Sequence, residues 1–225
     1  MNTHPSIIVP VLNEAPNLAS LCKRLTTCTQ AGAEVLFVDG GSTDGTPGLI
    51  ETAGFRLIRS DPGRAHQMNA GAGATSGDVL IFLHADTVLP TGALEAIDAA
   101  LDGDHDWGRF DVYIAGRPRM LRVVAQMMNW RSRVTGIATG DQAMFMTREA
   151  FDAVGGFPDQ PLMEDIELSR RLRARTRPAC LRVKVTTSGR RWESRGVWRT
   201  IFLMWRLRWD YWRGVPPDRL AEAYR

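Results

Sequence analysis

Four acidic residues, at three places in this 225-residue chain, have the surroundings that chemistry requires. Asp39 ends the apolar run "EVLFV" and opens "FVDGGSTDGT" (residues 37–46), where Gly40, Gly41 and Gly45 let backbone approach something closely. Asp86 follows a second apolar run in "LIFLHADT", with His84 two residues before it. Glu164 and Asp165 stand side by side in "LMEDIELSRRL", where a helical period begins. Each has an ordinary explanation when taken singly. An Asp at a strand end is most often a turn or a helix cap, and acids at a helix start are favoured by the helix dipole. As a set they say more. A nucleotide diphosphate needs an acceptor for base or ribose hydrogens, a divalent cation on its phosphate oxygens, and a carboxylate to hold that cation. Asp39 and Asp86 suit the first and last of these roles.

The elements that must position these groups alternate from residue 6 to about 102. They are "SIIVPV", a helix near Ala15 to Gln30, "EVLFV", a short helix from Thr46, "FRLIR", a helix near Ala65 to Ala74, "DVLIFL", and a helix from Thr91 to Leu101. Such alternation predicts an α/β fold, Rossmann-like, with a mostly parallel sheet and helices on both faces. Its nearly all-apolar strands are those of a sheet covered on both sides. In sheets of this kind ligands sit beyond the carboxyl ends of the strands, where Asn13 and Glu14, Asp39, and His84 to Asp86 all fall. After Asp102 the alternation lapses into "WGRFDVYI", a helix from Pro118 to Arg133, a strand "QAMFM" and a helix from Glu164 to Arg175, a half expected to supply the second wall of the cleft. One domain over 1–195 is expected, with a nucleotide-binding half at 1–102 and an acceptor half at 103–195, followed by a helical extension at 196–225.

Composition narrows the class. Hydrophobic content of 44% and charged content of 24% are those of a globular protein. No run of apolar residues is long enough to cross a bilayer, and no basic region precedes the first strand, so neither a transmembrane helix nor a signal peptide is expected. Cys22, Cys28 and Cys180 lack paired spacing, which argues against a zinc site and suits a reducing cytoplasm. Net charge is +3, and arginine crowds the segment from Arg170 to Arg213, inviting anionic partners. A dinucleotide fold would need G-x-G-x-x-G after the first strand, but the turn there, "PVLNEAPN", holds no glycine. "GAGATSG" at Gly71 to Gly77 follows a helix and precedes a strand, the wrong order for that motif.

In "SIIVPVLNE", "FVDGGSTDGT", "GRAHQMNAGA", "LIFLHADT" and "VGGFPDQPLMEDIELSRRLR", taken in order, the chain resembles the inverting nucleotide-sugar glycosyltransferases of family 2, with their GT-A-type fold. "GDQAMF" and "RRWESRGVWRT" look like a small bacterial subgroup without a transmembrane tail. The resemblance implies that Pro10, Glu14, Asp39 and Gly41 surround the donor nucleoside, and that Asp86 closes a D-x-D motif and holds Mg²⁺ or Mn²⁺. Arg64 and Asn69 would reach the base or diphosphate, although a solvated arginine explains Arg64 equally well. His84 departs from the pattern, standing where the family has its first Asp; it either hydrogen-bonds ribose or phosphate or fills space. Asp165 would be the general base, with Glu164 orienting the acceptor or the base.

The tail "GVWRTIFLMWRLRWDYWRG" has helical period, with Trp198, Trp205, Trp209 and Trp212 on one face beside Ile201 and Phe202, and Arg199, Arg206 and Arg213 flanking it. Two readings stay open for it: contact with a membrane interface, or completion of the core or a dimer. The expected partners are therefore a nucleotide-diphosphate sugar, a hydroxyl acceptor that includes lipid-linked ones, and the inner membrane face as a peripheral contact of a cytoplasmic protein. Nucleic acid is not expected. The competing classes are a non-catalytic membrane or nucleic-acid adaptor and a sugar-nucleotide pyrophosphorylase; the latter needs a glycine-rich basic loop after the first strand, which is absent.

Overall fold

A computed structural model describes residues 3–224. Its first half is β1 (Pro5–Val11), α1 (Ala15–Gln30), β2 (Glu34–Asp39), α2 (Thr46–Thr52), β3 (Arg56–Arg59), α3 (Arg64–Ala74), β4 (Val79–Phe82), β5 (Thr87–Val88) and α4 (Ala93–Leu101). The second half is β6 (Trp107–Ala115), α5 (Met120–Thr135), a 3₁₀ turn (Gly140–Gln142), β7 (Met144–Thr147), α6 (Arg148–Ala153), α7 (Glu164–Arg173), β8 (Ala179–Ser188), α8 (Arg190–Arg195), α9 (Val197–Trp212) and α10 (Pro217–Tyr224).

Eight strands form one sheet in the order β3-β2-β1-β4-β7-β6-β8-β5. The first four are parallel, as the alternation predicts. Beyond them β7 runs antiparallel to both β4 and β6, β8 is parallel to β6, and β5 is antiparallel to β8. Side-chain alternation divides the core into two layers. Ile7, Val9, Phe37 and Ile81 pack with Leu18, Leu21 and Leu25 of α1 on one face of the sheet. Ile8, Leu36, Val38 and Leu80 pack with Met68 and Ala72 of α3 on the other, where Leu168 and Leu172 of α7 also lie.

One feature of the second half differs from the expectation. Ala179–Ser188 forms a ten-residue strand that the helix-and-strand reading passed over. Its middle is half-exposed, so its apolar run is broken by Arg182 and Lys184 and does not look like a buried strand. The tail is helical on both sides of a break at "VPPD": Pro217 begins α10, whose Leu220 is buried with Leu207 of α9 and Met163. Proline at the first helical position needs no backbone N–H, so it starts this helix rather than ending one. Inside the fold, Asn129 of α5 pairs its amide with both the N–H and the carbonyl of Val112, at 2.8 and 3.0 Å, and so holds α5 against β6.

Candidate active site

The strand ends are built first. Asp39 is 1% exposed and its carboxylate accepts from the N–H groups of Gly41 and Ser42, at 3.3 and 3.1 Å. The rest of that loop serves α1. Ser42, Asp44 and Thr46 accept from the N–H groups of Asn13, Ala15 and Glu14, at 2.9, 3.2 and 2.9 Å, so the helix start is capped from another loop. Gln67 of α3 donates to the carbonyls of Val11 and Val38, each at 2.8 Å, and pins the two strand ends together. A side chain at Gly40 would meet Gln67, while the space beside Gly41, at φ +98°, is open.

Beyond β4, His84 shares a hydrogen bond with Asp141 at 3.3 Å across its Nδ1. Its ring packs so closely over Gly140 that a Cβ there would collide with it. The N–H of Gly140 in turn donates to Asp165 Oδ2 at 2.8 Å, and the N–H of Ile166 donates to Oδ1 at 2.7 Å. The 3₁₀ turn thus links the strand-end histidine to the carboxylate at the head of α7. Each Asp165 oxygen keeps a further lone pair. Backbone strain collects here: the non-glycine residues at positive φ among those described are Asn13 (54°), Ala143 (45°) and Met163 (67°). They adjoin Glu14, the 3₁₀ turn and Glu164 respectively. Left-handed backbone at such residues costs about 1–2 kcal/mol each and persists where the surroundings over-determine it.

Glu14, Arg64, His84, Asp86, Glu164 and Asp165 line one cleft of about 560 Å³. Pro10, Asp39, Gly41 and Asn69 do not line it. The first three lie at the ends of β1 and β2. Asn69 is used elsewhere: its amide donates to the carbonyl of Phe157 and accepts from the N–H of Phe157, both at 2.9 Å, which occupies it in holding the Gly155–Gly156 turn. Asp141, Arg131 and Arg191, which the sequence reading missed, also face the cleft. The signal for Asp141 was an acid inside "TGDQAM", a short turn between a helix and a strand. Arg190 crosses to Glu14 at 3.5 Å.

Charge in the cleft is unevenly stabilised. Burial pushes the Asp165 carboxyl above its ordinary range, against the pull of its two backbone donors. Burial and then the neighbouring Asp165 charge push Glu164 up as well. Asp86 is raised by burial and by the negative charges of Asp141 and Glu14. Asp141, itself disfavoured by burial, is nonetheless held low by the hydrogen bond and charge of His84, helped by Arg64 and Arg191. Among the described residues no three His, Cys, Asp or Glu side chains converge as a ready cage for a metal. Asp86 and Asp141 nevertheless bring hard oxygen donors whose mutual repulsion a divalent cation would relieve, which suits Mg²⁺ or Mn²⁺. Arg131 places a guanidinium near Asp165 whose Nε and Nη2 are buried and make no hydrogen bond among the described residues.

The tail forms the other lip. Trp198, Phe202, Trp205, Trp209 and Trp212 are 58–76% exposed, so these indoles do not complete the core. Ile201, expected on the same face, packs partly against the core instead. Thr200 and Leu207 make the buried face of α9.

A parallel first half joined to a mixed half that carries an acidic helix start is the GT-A arrangement. Residues 6–155 match the family described as Glycosyl transferase family 2, and the chain belongs to that family. It is 36% identical over 108 residues to a PGL/p-HBAD biosynthesis glycosyltransferase of Mycobacterium tuberculosis, covering 45% of this chain and 42% of that one. It is 25% identical over 244 residues to the beta-monoglucosyldiacylglycerol synthase of a Synechocystis strain, covering 93% of this chain and 49% of that one. The chain thus spans about half the length of these curated relatives or less. Among solved structures it is similar in fold to a mannosyltransferase from Pyrobaculum calidifontis in complex with GDP-Man and Mn²⁺, at TM-score 0.61 and 22% identity, covering 83% of this chain and 57% of that one. Glucosyl-3-phosphoglycerate synthase from Mycobacterium tuberculosis, in complex with Mn²⁺ and UDP-glucose, gives TM-score 0.61 and 18% identity, covering 81% and 70%. At these identities the likeness is one of fold.

Proposed function

We propose that the chain is an inverting glycosyltransferase that moves a sugar from a nucleotide-diphosphate sugar to an acceptor hydroxyl. The observation that carries this reading is the meeting in one cleft of Asp86, from a strand end of the first half, and Asp165, from a helix start of the second. Asp165 is the general base. It takes the proton of the acceptor hydroxyl as that oxygen bonds to the anomeric carbon; on the opposite face the carbon–oxygen bond to the diphosphate breaks and its electron pair leaves with the diphosphate. A base with a raised pKa is a stronger proton acceptor near neutral pH, and the Gly140 and Ile166 donors fix its direction. Glu164 orients the acceptor or the base. Pro10, Glu14, Asp39 and Gly41 surround the donor nucleoside, and Arg64 meets the diphosphate. Asn69 is left out of the donor site because its amide is engaged by Phe157.

Mg²⁺ or Mn²⁺, held by Asp86 with Asp141 as second oxygen donor, would supply positive charge to the departing diphosphate. Asp141 in this reading replaces the carboxylate lost at His84, and His84 orients it. An acceptor entering past Met127, Trp130 and Trp205 would carry an apolar part, which suits a lipid-linked molecule met at a membrane through α9. The test is calorimetry of UDP and GDP with and without Mn²⁺. Native protein is expected to bind one of them in a metal-dependent way, Asp86→Ala to lose that dependence, and Asp141→Asn to weaken it by about 10–100-fold, as changes at a metal's supporting groups do. Unchanged metal-dependent affinity in Asp86→Ala would remove the assignment.

A further inference from the structure

Two helices on either side of the acceptor cleft show the same unusual surface. On α5, Val123, Met127, Trp130 and Val134 are 47–66% exposed. At roughly 100° per residue they fall within an arc of about 60°. The exposed residues of α9, from Trp198 to Trp212, follow the same spacing of four and three and fall within about 80°. Both helices bury their opposite faces, α5 through Leu121, Ala125 and Ser132 and α9 through Thr200 and Leu207, so neither stripe is a core face left open by misplacement. Both stripes reach the same cleft, because Met127 and Trp130 line it from one side and Trp205 from the other.

The five exposed indoles alone leave on the order of 600 Å² of aromatic surface in water, at the upper end of what a whole monomer shows in its largest apolar patch. Charge identifies the occupant. The sixteen residues of α5 hold no acid; of their arginines Arg122 is exposed, Arg131 faces the cleft and Arg133 pairs with Asp111 at 2.7 Å, while those of α9 hold Arg199, Arg206 and Arg208 with only Asp210, which pairs with Arg206 at 3.5 Å. Arg119, Arg122, Arg199 and Arg213 are exposed and make no ion pair among the described residues. A second copy pressed face to face would set arginine against arginine. An anionic bilayer offers what both features need: an interface for indoles at headgroup depth and negative charge beside them.

We propose that α5 and α9 together form a two-armed docking surface for an anionic lipid bilayer, seating the mouth of the acceptor cleft on the membrane. This rests on the acceptor reading above and extends it from one helix to two. The surface lets an amphiphilic acceptor pass from the lipid into the cleft without crossing water.

Sedimentation with vesicles of phosphatidylcholine, with and without phosphatidylglycerol, tests it on the full chain. Native protein is expected to pellet with the anionic vesicles at low salt, to release at high salt, and to ignore neutral vesicles. Trp209→Ala with Trp212→Ala, and separately Val123→Glu with Val134→Glu, should each weaken binding by about tenfold or more. All four residues are exposed, and circular dichroism checks that the variants remain folded. Native protein that stays in the supernatant overturns the proposal. So does native-like binding by the Val123→Glu, Val134→Glu protein, which would leave α5 without a part. A stable dimer in sedimentation equilibrium that dissociates on changing Trp209 and Trp212, with no vesicle binding, would give the face to a second copy. Vesicle binding requires no sugar donor, so its failure leaves the transferase chemistry standing, and loss of UDP or GDP binding leaves the docking result standing.

Discussion

The two halves of the sheet deliver their functional groups by different means. In the first half the strands are parallel and the groups stand beyond their carboxyl ends, so Asp39 lies at that edge of the sheet and Glu14 and Asp86 line the cleft because the strands stop there. In the second half the groups hang on short, strained or tightly packed turns. Asp165 depends on Gly140, Gly140 on the ring of His84, and Glu164 follows Met163 in left-handed backbone. Regular structure positions by period; turns position by contact. The placement of site groups should therefore be less sensitive to substitution of their neighbours in the first half than in the second.

The largest effect belongs to the second half. Asp165→Asn keeps the shape of the side chain and removes the base, so turnover should fall by about 10²–10⁴-fold. Release of UDP from UDP-glucose, or of GDP from GDP-mannose, with water in place of the acceptor hydroxyl measures it, while calorimetry should find nucleotide affinity nearly unchanged. Near-native turnover would move the role to Glu164. A pair of glycine substitutions sharpens the contrast. In Gly71→Ala the new methyl collides with Ile8 and Val38 in the core under α3, and overpacking there should cost about 1–3 kcal/mol of stability with the folded enzyme still active. In Gly140→Ala the new methyl meets the movable end of His84, so melting should change little while turnover drops by about tenfold through the misplaced Asp165. Equal losses of stability in the two variants would erase the distinction.

The pH response should also divide. Asp165 must be ionised to accept a proton, and burial lifts its pKa above the ordinary 3.8. Activity is therefore expected to fall as pH drops through that raised value, placing the acid limb above the usual carboxylate range. Stability runs the other way: a carboxyl whose folded pKa is raised contributes stability below its unfolded pKa that is lost as pH rises through the folded one. Asp165→Asn should flatten that part of the stability profile. An acid limb at an ordinary carboxylate pKa would show that Asp165 is not the titrating group.

The same contrast explains what could be read from the chain alone. Helix α1 falls on Ala15–Gln30, where its apolar period placed it, and the three strand ends meet at one edge as expected. Parallel strands buried on both faces write themselves as apolar runs. β8 did not: Leu181, Val183, Val185 and Thr187 alternate along it with Arg182, Lys184 and Thr186, so it is written as an alternation and not as an apolar run. Asp141 stayed hidden for another reason. Its neighbours His84 and Arg191 lie 57 and 50 positions away, and a short turn carries no period that reveals which distant side chain it faces. Asn69 shows the converse case: its amide pairs with the backbone of Phe157, and it lies outside the lining of the cleft.

The smallest expected effect isolates backbone strain at the point where the first half borrows the method of the second. Asn13 has φ 54°, and its side-chain oxygen accepts from the Thr43 N–H at 2.8 Å. Asn13→Gly removes that hydrogen bond and the Cβ with it, leaving a residue indifferent to the left-handed region; Asn13→Ala removes the bond and keeps the steric cost of Cβ. Loss of the bond should destabilise both by about 0.5–1.5 kcal/mol. Glycine also adds freedom to the unfolded chain, worth about 0.4–1 kcal/mol, so alanine should be the worse by no more than about 1 kcal/mol. Chemical denaturation of the two variants in parallel measures the difference. If alanine equals or exceeds glycine in stability, the turn has relaxed out of the left-handed region and Glu14 with it, and that variant should then bind UDP or GDP more weakly than the glycine one.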